Sequence, residues 1–198
     1  MIQDKSYESK VWERSNITDV YLTNQFDEDL SGLKDKRLVP CLRTDDLVFN
    51  ADKAASISRL EKFTGLAAGK DLTTWRAALT QIFDNFKSWK MGYAAVGLPP
   101  SFIIEQNTAE KAAALLPKIA KGEILDDASR RIWASFAIEE ITRQCERVSA
   151  PYCLMAGADR GVYEQGVPSG QDLFRCDAHL RGYDWLLNKY ANVRFPFM

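Results

Sequence analysis

Apolar positions along this chain fall into two kinds of run. Five are short and nearly continuous: ITDVYLT (Ile17–Thr23), RLVPCLR (Arg37–Arg43), GYAAVGL (Gly92–Leu98), PYCLMAG (Pro151–Gly157) and NVRFPFM (Asn192–Met198). Short apolar runs without strict alternation mark strands covered on both faces, as in a parallel sheet. Pro40 counts against a regular central strand in the second run, because proline has no backbone N–H for a ladder. The other runs repeat at intervals of three and four. Leu72, Trp75, Leu79, Ile82, Phe83, Phe86 and Trp89 form one stripe, and Ile132, Trp133, Phe136, Ile141 and Cys145 form another. Both predict amphipathic helices with their stripes in the core, the first capped by Asp71 or Thr73. Shorter helices fit Asp52–Lys62, Thr108–Ala120 and Ala178–Tyr190, with Gly122 closing the second of these.

Strand alternating with helix is the signature of an α/β chain with a parallel sheet. Periodicity leaves two architectures, an open doubly wound sheet and a (β/α) barrel. The absence of GxGxxG and of GxxxxGK[ST] removes support for a nucleotide-binding open sheet. The 198 residues, 46% hydrophobic and 27% charged, suit one globular domain. A net charge of −1 disfavours nucleic acid or a membrane surface as the main partner. The charged N-terminus has no signal-peptide core, so a cytoplasmic location is expected. Cys41, Cys145, Cys153 and Cys176 show no CxxC spacing and are expected to be reduced. A single histidine, His179, excludes a histidine-cluster zinc site built from this chain alone. The final run, VRFPFM, stops on a buried strand, as expected of a chain cut from a longer one.

In parallel α/β folds, sites form beyond the carboxyl ends of the strands. Thr23, Asn24, Gln25 and Asp27 follow the first strand; Arg43, Thr44, Asp45 and Asp46 follow the second; Asp159 and Arg160 follow the fourth. The third is followed by GLPPS, which has no ionisable group. Arg43 and Arg160 suit a carboxylate or phosphate, which a guanidinium grips through two parallel hydrogen bonds. Polar loops and helix caps account for the same residues without any ligand. His179 reads as a helix-start residue, and Asp172 lies in a capping loop.

The order of four stretches resembles the uronate isomerase family of the amidohydrolase superfamily, over about Ile17 to the end. They are VPCLRTDDLVFN (Val39–Asn50), LTTWRAALTQIFDNFKSWKMGYAAVGLPP (Leu72–Pro100), ILDDASRRIWASFAIEEITRQCERVSAPYCLMAGADRGV (Ile124–Val162) and GVPSGQDLF (Gly166–Phe174). The resemblance implies a partial (β/α)8 TIM barrel in which the N-terminal and C-terminal barrel strands are missing. It implies an aldose–ketose isomerisation of a hexuronate, of the D-glucuronate to D-fructuronate type, with no turnover by this chain alone. It also implies a sugar-acid substrate bound by Arg43 and Arg160, to which the strand-end reading adds Asp45 and Thr23 as candidate substrate-binding residues, and a homo-oligomer at full length. No catalytic residue follows from it. Met155 stands where many family members carry a metal-binding histidine, AAVGLPPS replaces a charged segment, and TNQFDED replaces a Thr-Thr-Asp-Asp turn. No cofactor is assigned, though a divalent metal such as zinc in the complete enzyme is compatible with the resemblance. The alternatives are a metal-dependent hydrolase of the same superfamily and a non-catalytic half-barrel that binds an anion.

Overall fold

The computed structural model describes residues 7–53, 55–159, 173–174 and 180–197. The short strands β1 (Val20–Tyr21), β2 (Leu38–Val39), β3 (Leu42–Arg43), β4 (Ala94–Leu98) and β5 (Tyr152–Ala156) carry the architecture. β1 pairs with β2, β3 with β4 and β4 with β5, every pair parallel. Asn24 bridges to Leu42, so β2 and β3 are one strand interrupted at Pro40. At the far side, Tyr152 and Leu154 donate to the carbonyls of Arg194 and Pro196, which adds the fifth expected strand beside β5. The five strand segments thus lie side by side in chain order. A doubly wound sheet reverses its strand order, whereas a barrel adds each strand next to the last. The chain is therefore a partial barrel of about five strands, not closed on itself, with a separate antiparallel pair β6 (Ala158–Asp159) and β7 (Leu173–Phe174) beyond it.

Pro40 is tolerated for a positional reason. In this stretch the odd residues bond toward β1 and the even residues toward β4: Leu42 donates to Tyr93, and the Pro40 carbonyl accepts from Gly92. The missing N–H faces the point where the next strand is only beginning, so no established rung is lost.

Helices α2 (Asp45–Val48), α3 (Ser56–Thr64), α4 (Leu72–Ser88), α5 (Ala109–Ala120) and α6 (Asp127–Val148) cover the outer face of the sheet. Alternation along the strands sends Leu42, Thr44, Ala94, Val96, Leu98, Tyr152 and Leu154 outward beneath them, where all are buried. Trp75, Trp133 and Phe136 form a three-ring cluster between α4 and α6, with centroids 5.4–5.5 Å apart. The indole of Trp133 donates to the Leu47 carbonyl at 3.1 Å and ties α6 to α2. Asp71 caps α4 by accepting from the Thr74 N–H at 2.8 Å, as one of the two expected caps.

Three expectations are corrected. The first described element is an unforeseen helix, α1 (Tyr7–Arg14). The described part of the last helical stretch is a 3-10 turn, Leu180–Tyr183, followed by the short helix α7 (Asp184–Lys189). Trp89, assigned to the core stripe, is 37% exposed, because α4 ends at Ser88 and the chain turns away through the left-handed Lys90. Cys41, Cys145 and Cys153 are free thiols, as expected, and Cys176 lies outside the described residues.

Candidate active site

The loops after the first two strands are braced before they can hold anything. Arg59 of α3 grips Asp27 through Nε and Nη2 (2.9 and 2.6 Å) and reaches Asp46 through Nη1 (2.7 Å). Its guanidinium also stacks 4.8 Å over the Phe26 ring. Two carboxylates expected to face a ligand are thus spent on structure, and sequence periodicity gave no sign that Arg59 was their partner. The Arg59 hydrogen bonds hold the Asp27 carboxyl below its ordinary value of 3.8. With the folded value depressed, this clamp contributes fully above about pH 4 and is lost as pH falls through the folded value. Acid titration followed by loop-sensitive hydrogen exchange should show the segment around Asp27 opening below pH 4, and Arg59→Met should remove that step.

Beyond the brace, a cleft of about 360 Å³ opens at the carboxyl ends of the second and third strands. Arg43, Asp45, Phe49, Asn50 and Lys53 form one side, Gly97 to Pro100 the other, and Arg130 the back. Asp45 is the only carboxylate among these lining residues. It accepts from Arg43 Nε at 3.1 Å and from the Gly97 N–H at 3.3 Å. Those bonds fix the Arg43 guanidinium while leaving Nη1 and Nη2 without described partners. Lys53 is exposed, and its ammonium group has no ion-pair or hydrogen-bond partner among the described residues. Arg130 is committed to Asp52, Asp127 and the Leu125 carbonyl. Asp52 is itself buried and also accepts from the Leu125 N–H at 2.9 Å.

The expected residues divide accordingly. Arg43 and Asp45 meet in the cleft. Thr23 shares a separate small cavity with Arg43, Cys41, Tyr93 and Met155 on the inner face of the sheet, about 40 Å³ in volume. Arg160, Asp172 and His179 lie outside the described residues. Asp45 is the first residue of α2 rather than its cap, so its carboxylate is free to orient Arg43. Lys53, Asn50 and Arg130 were missed: each follows its strand by a whole helix or turn, and no local spacing connects it to Arg43. The uncharged GLPPS segment contributes through its backbone, by the Gly97 N–H.

The described residues do not by themselves supply a divalent-metal site. Among the described residues, no three His, Cys, Asp or Glu side chains converge on a point. Met155 offers a thioether, a poor ligand for a hard cation. No helix of the described residues is long and apolar enough to cross a membrane.

No protein-family model and no curated sequence matches the chain. Its fold matches solved uronate isomerases. The enzyme from Thermotoga maritima superimposes with a TM-score of 0.78 at 18% identity, over 95% of this chain and 45% of that one. Glucuronate isomerase from Caulobacter crescentus gives 0.80 at 13% identity, over 98% and 44%. The uronate isomerase from Bacillus halodurans gives 0.68 at 21% identity, over 98% and 42%. The chain spans less than half the length of these matched structures.

Proposed function

We propose that this chain forms the carboxylate-binding part of a uronate isomerase-like site and acts on a hexuronate within a more complete barrel. The observation that carries the reading is the Arg43 guanidinium at the cleft, held through Nε by Asp45 with both Nη groups without described partners. A guanidinium fixed in this way meets a planar carboxylate through two charge-assisted bonds. Lys53 adds a second positive charge on the same side. A hexuronate differs from a neutral hexose by that carboxylate, so these groups select the substrate class. The fold likeness to uronate isomerases supports the same assignment.

Isomerisation between aldo- and keto-uronate moves a proton from C2 to C1 and a hydroxyl proton from O2 to O1. It needs a base over the carbon pair and donors toward the enediolate oxygens. The cleft's one carboxylate, Asp45, is committed to Arg43 and Gly97. No base is assigned among the described residues, whose proposed part is to anchor and orient the acid end. By this reading the 198-residue chain binds D-glucuronate but does not convert it. The test follows the aldose C1 proton by NMR with purified chain. Saturation-transfer contact with no ketose product is the expected result. Turnover by the isolated chain overturns the division of labour, and no contact overturns the anchoring role.

A further inference from the structure

The largest of the described clefts lies on the face opposite the strand-end site. It encloses about 450 Å³ at the amino ends of the first strands, within the range of about 300–1,000 Å³ typical of small-molecule sites. Its floor is apolar: Leu33, Leu38, Val39, Pro40 and the exposed ring of Trp89. Its rim carries Lys34, Lys36 and Lys90, none of which has a side-chain ion-pair or hydrogen-bond partner among the described residues. Of the two acids at the rim, only Asp35 is paired with a cation among the described residues. Asp35 is gripped by Arg37, whose Nε lies 3.0 and 3.2 Å from its two oxygens, and Asp19 accepts from the Thr18 hydroxyl. A hydrophobic trough is thus left under three lysines and one carboxylate unpaired among the described residues, an excess of positive charge.

One rim residue is also conformationally unusual. The end of α4 closes with Met91 N–H bonding to the Phe86 carbonyl and Lys90 N–H to Lys87. This closure requires a left-handed residue, usually glycine. The corresponding position holds Gly65 after α3 and Gly122 after α5, but Lys90 at φ 57° after α4 and Ser149 at φ 60° after α6. A strained lysine in place of glycine sets an ammonium group at the rim beside the one stripe aromatic, Trp89, that is left in solvent.

We propose that this cleft binds an aromatic organic anion, with its ring against Trp89 and its acid group among Lys34, Lys36 and Lys90. The site is independent of the uronate reading, since it shares no residue with the Arg43 cleft.

Calorimetric titration of the full-length protein with naphthalene-2-carboxylate tests it. A saturable site that D-glucuronate does not displace is expected, weakened by added salt, with little binding of the neutral 2-naphthylmethanol. Lys34→Glu should raise Kd about tenfold. Lys90→Gly is the sharper variant: it relieves the left-handed strain and should raise Tm by about 2 °C, yet raise Kd about threefold. Arg43→Met should leave Kd unchanged. Absence of a saturable site, an unchanged Kd in both lysine variants, equal binding of the neutral alcohol, or loss of binding in Arg43→Met would each overturn the proposal.

Discussion

Arg43→Met should weaken D-glucuronate binding by about 10- to 100-fold, the loss expected when charge-assisted hydrogen bonds worth about 1.5–3 kcal/mol are removed. The same change strips Asp45 of one of its two described partners. Its side chain is only 11% exposed, so the variant should also lose about 1–2 kcal/mol of stability. The double variant Arg43→Met/Asp45→Asn separates the two effects. An amide leaves no uncompensated charge and still accepts from the Gly97 N–H, so stability should return while uronate binding should not. Thermal melts and a uronate titration of the three proteins decide the matter. If the double variant recovers affinity, the carboxylate is held elsewhere and the anchoring role of Arg43 fails.

Trp133→Ala should have the largest effect on the fold. The indole is buried against Trp75 and Phe136, and its N–H satisfies the Leu47 carbonyl. Truncation leaves a large cavity between α4 and α6 and frees a buried acceptor, a combined loss of about 3–5 kcal/mol. That is a large share of the total stability of an ordinary domain, about 5–15 kcal/mol. Trp133→Phe refills most of the volume but cannot donate to Leu47, and should lose roughly half as much. Urea unfolding of the two variants, compared at equal m-value, measures the difference. Equal losses in both would assign the whole effect to the hydrogen bond.

The five strands and the two long helical stripes were legible in the sequence because their signals are local. A buried parallel strand writes a short apolar run, and a helix packed on a sheet writes a stripe of period 3.6. Periodicity left barrel and doubly wound sheet equally open, because the order in which strands pair is not a local property. The pairing of Asn24 with Leu42, and of Leu154 with the residues around Phe197, settles it. The site was half legible for the same reason. Arg43 and Asp45 sit two residues apart at one strand end, and their mutual bond is visible in their spacing. Lys53, Arg130 and the Arg59 brace arrive from helices that follow, and only packing joins them to the strand end. Trp89 shows the opposite failure: its spacing is that of a core residue, but one left-handed turn at Lys90 takes it out of the core.

The pairing order has a consequence for how such a chain is made. Every strand of the partial barrel lies beside the strand that preceded it from the ribosome, and none waits for a distant segment. Each new strand-and-helix unit meets a finished sheet edge with its pairing groups already exposed, so the structure can grow in the direction of synthesis. Sequence-local pairing keeps loop-closure entropy small and folding fast. The growing edge is always the newest strand, while the outer edge of β1 stays open from the start, so an unclosed barrel carries adhesive, unpaired backbone at its oldest and its newest strand.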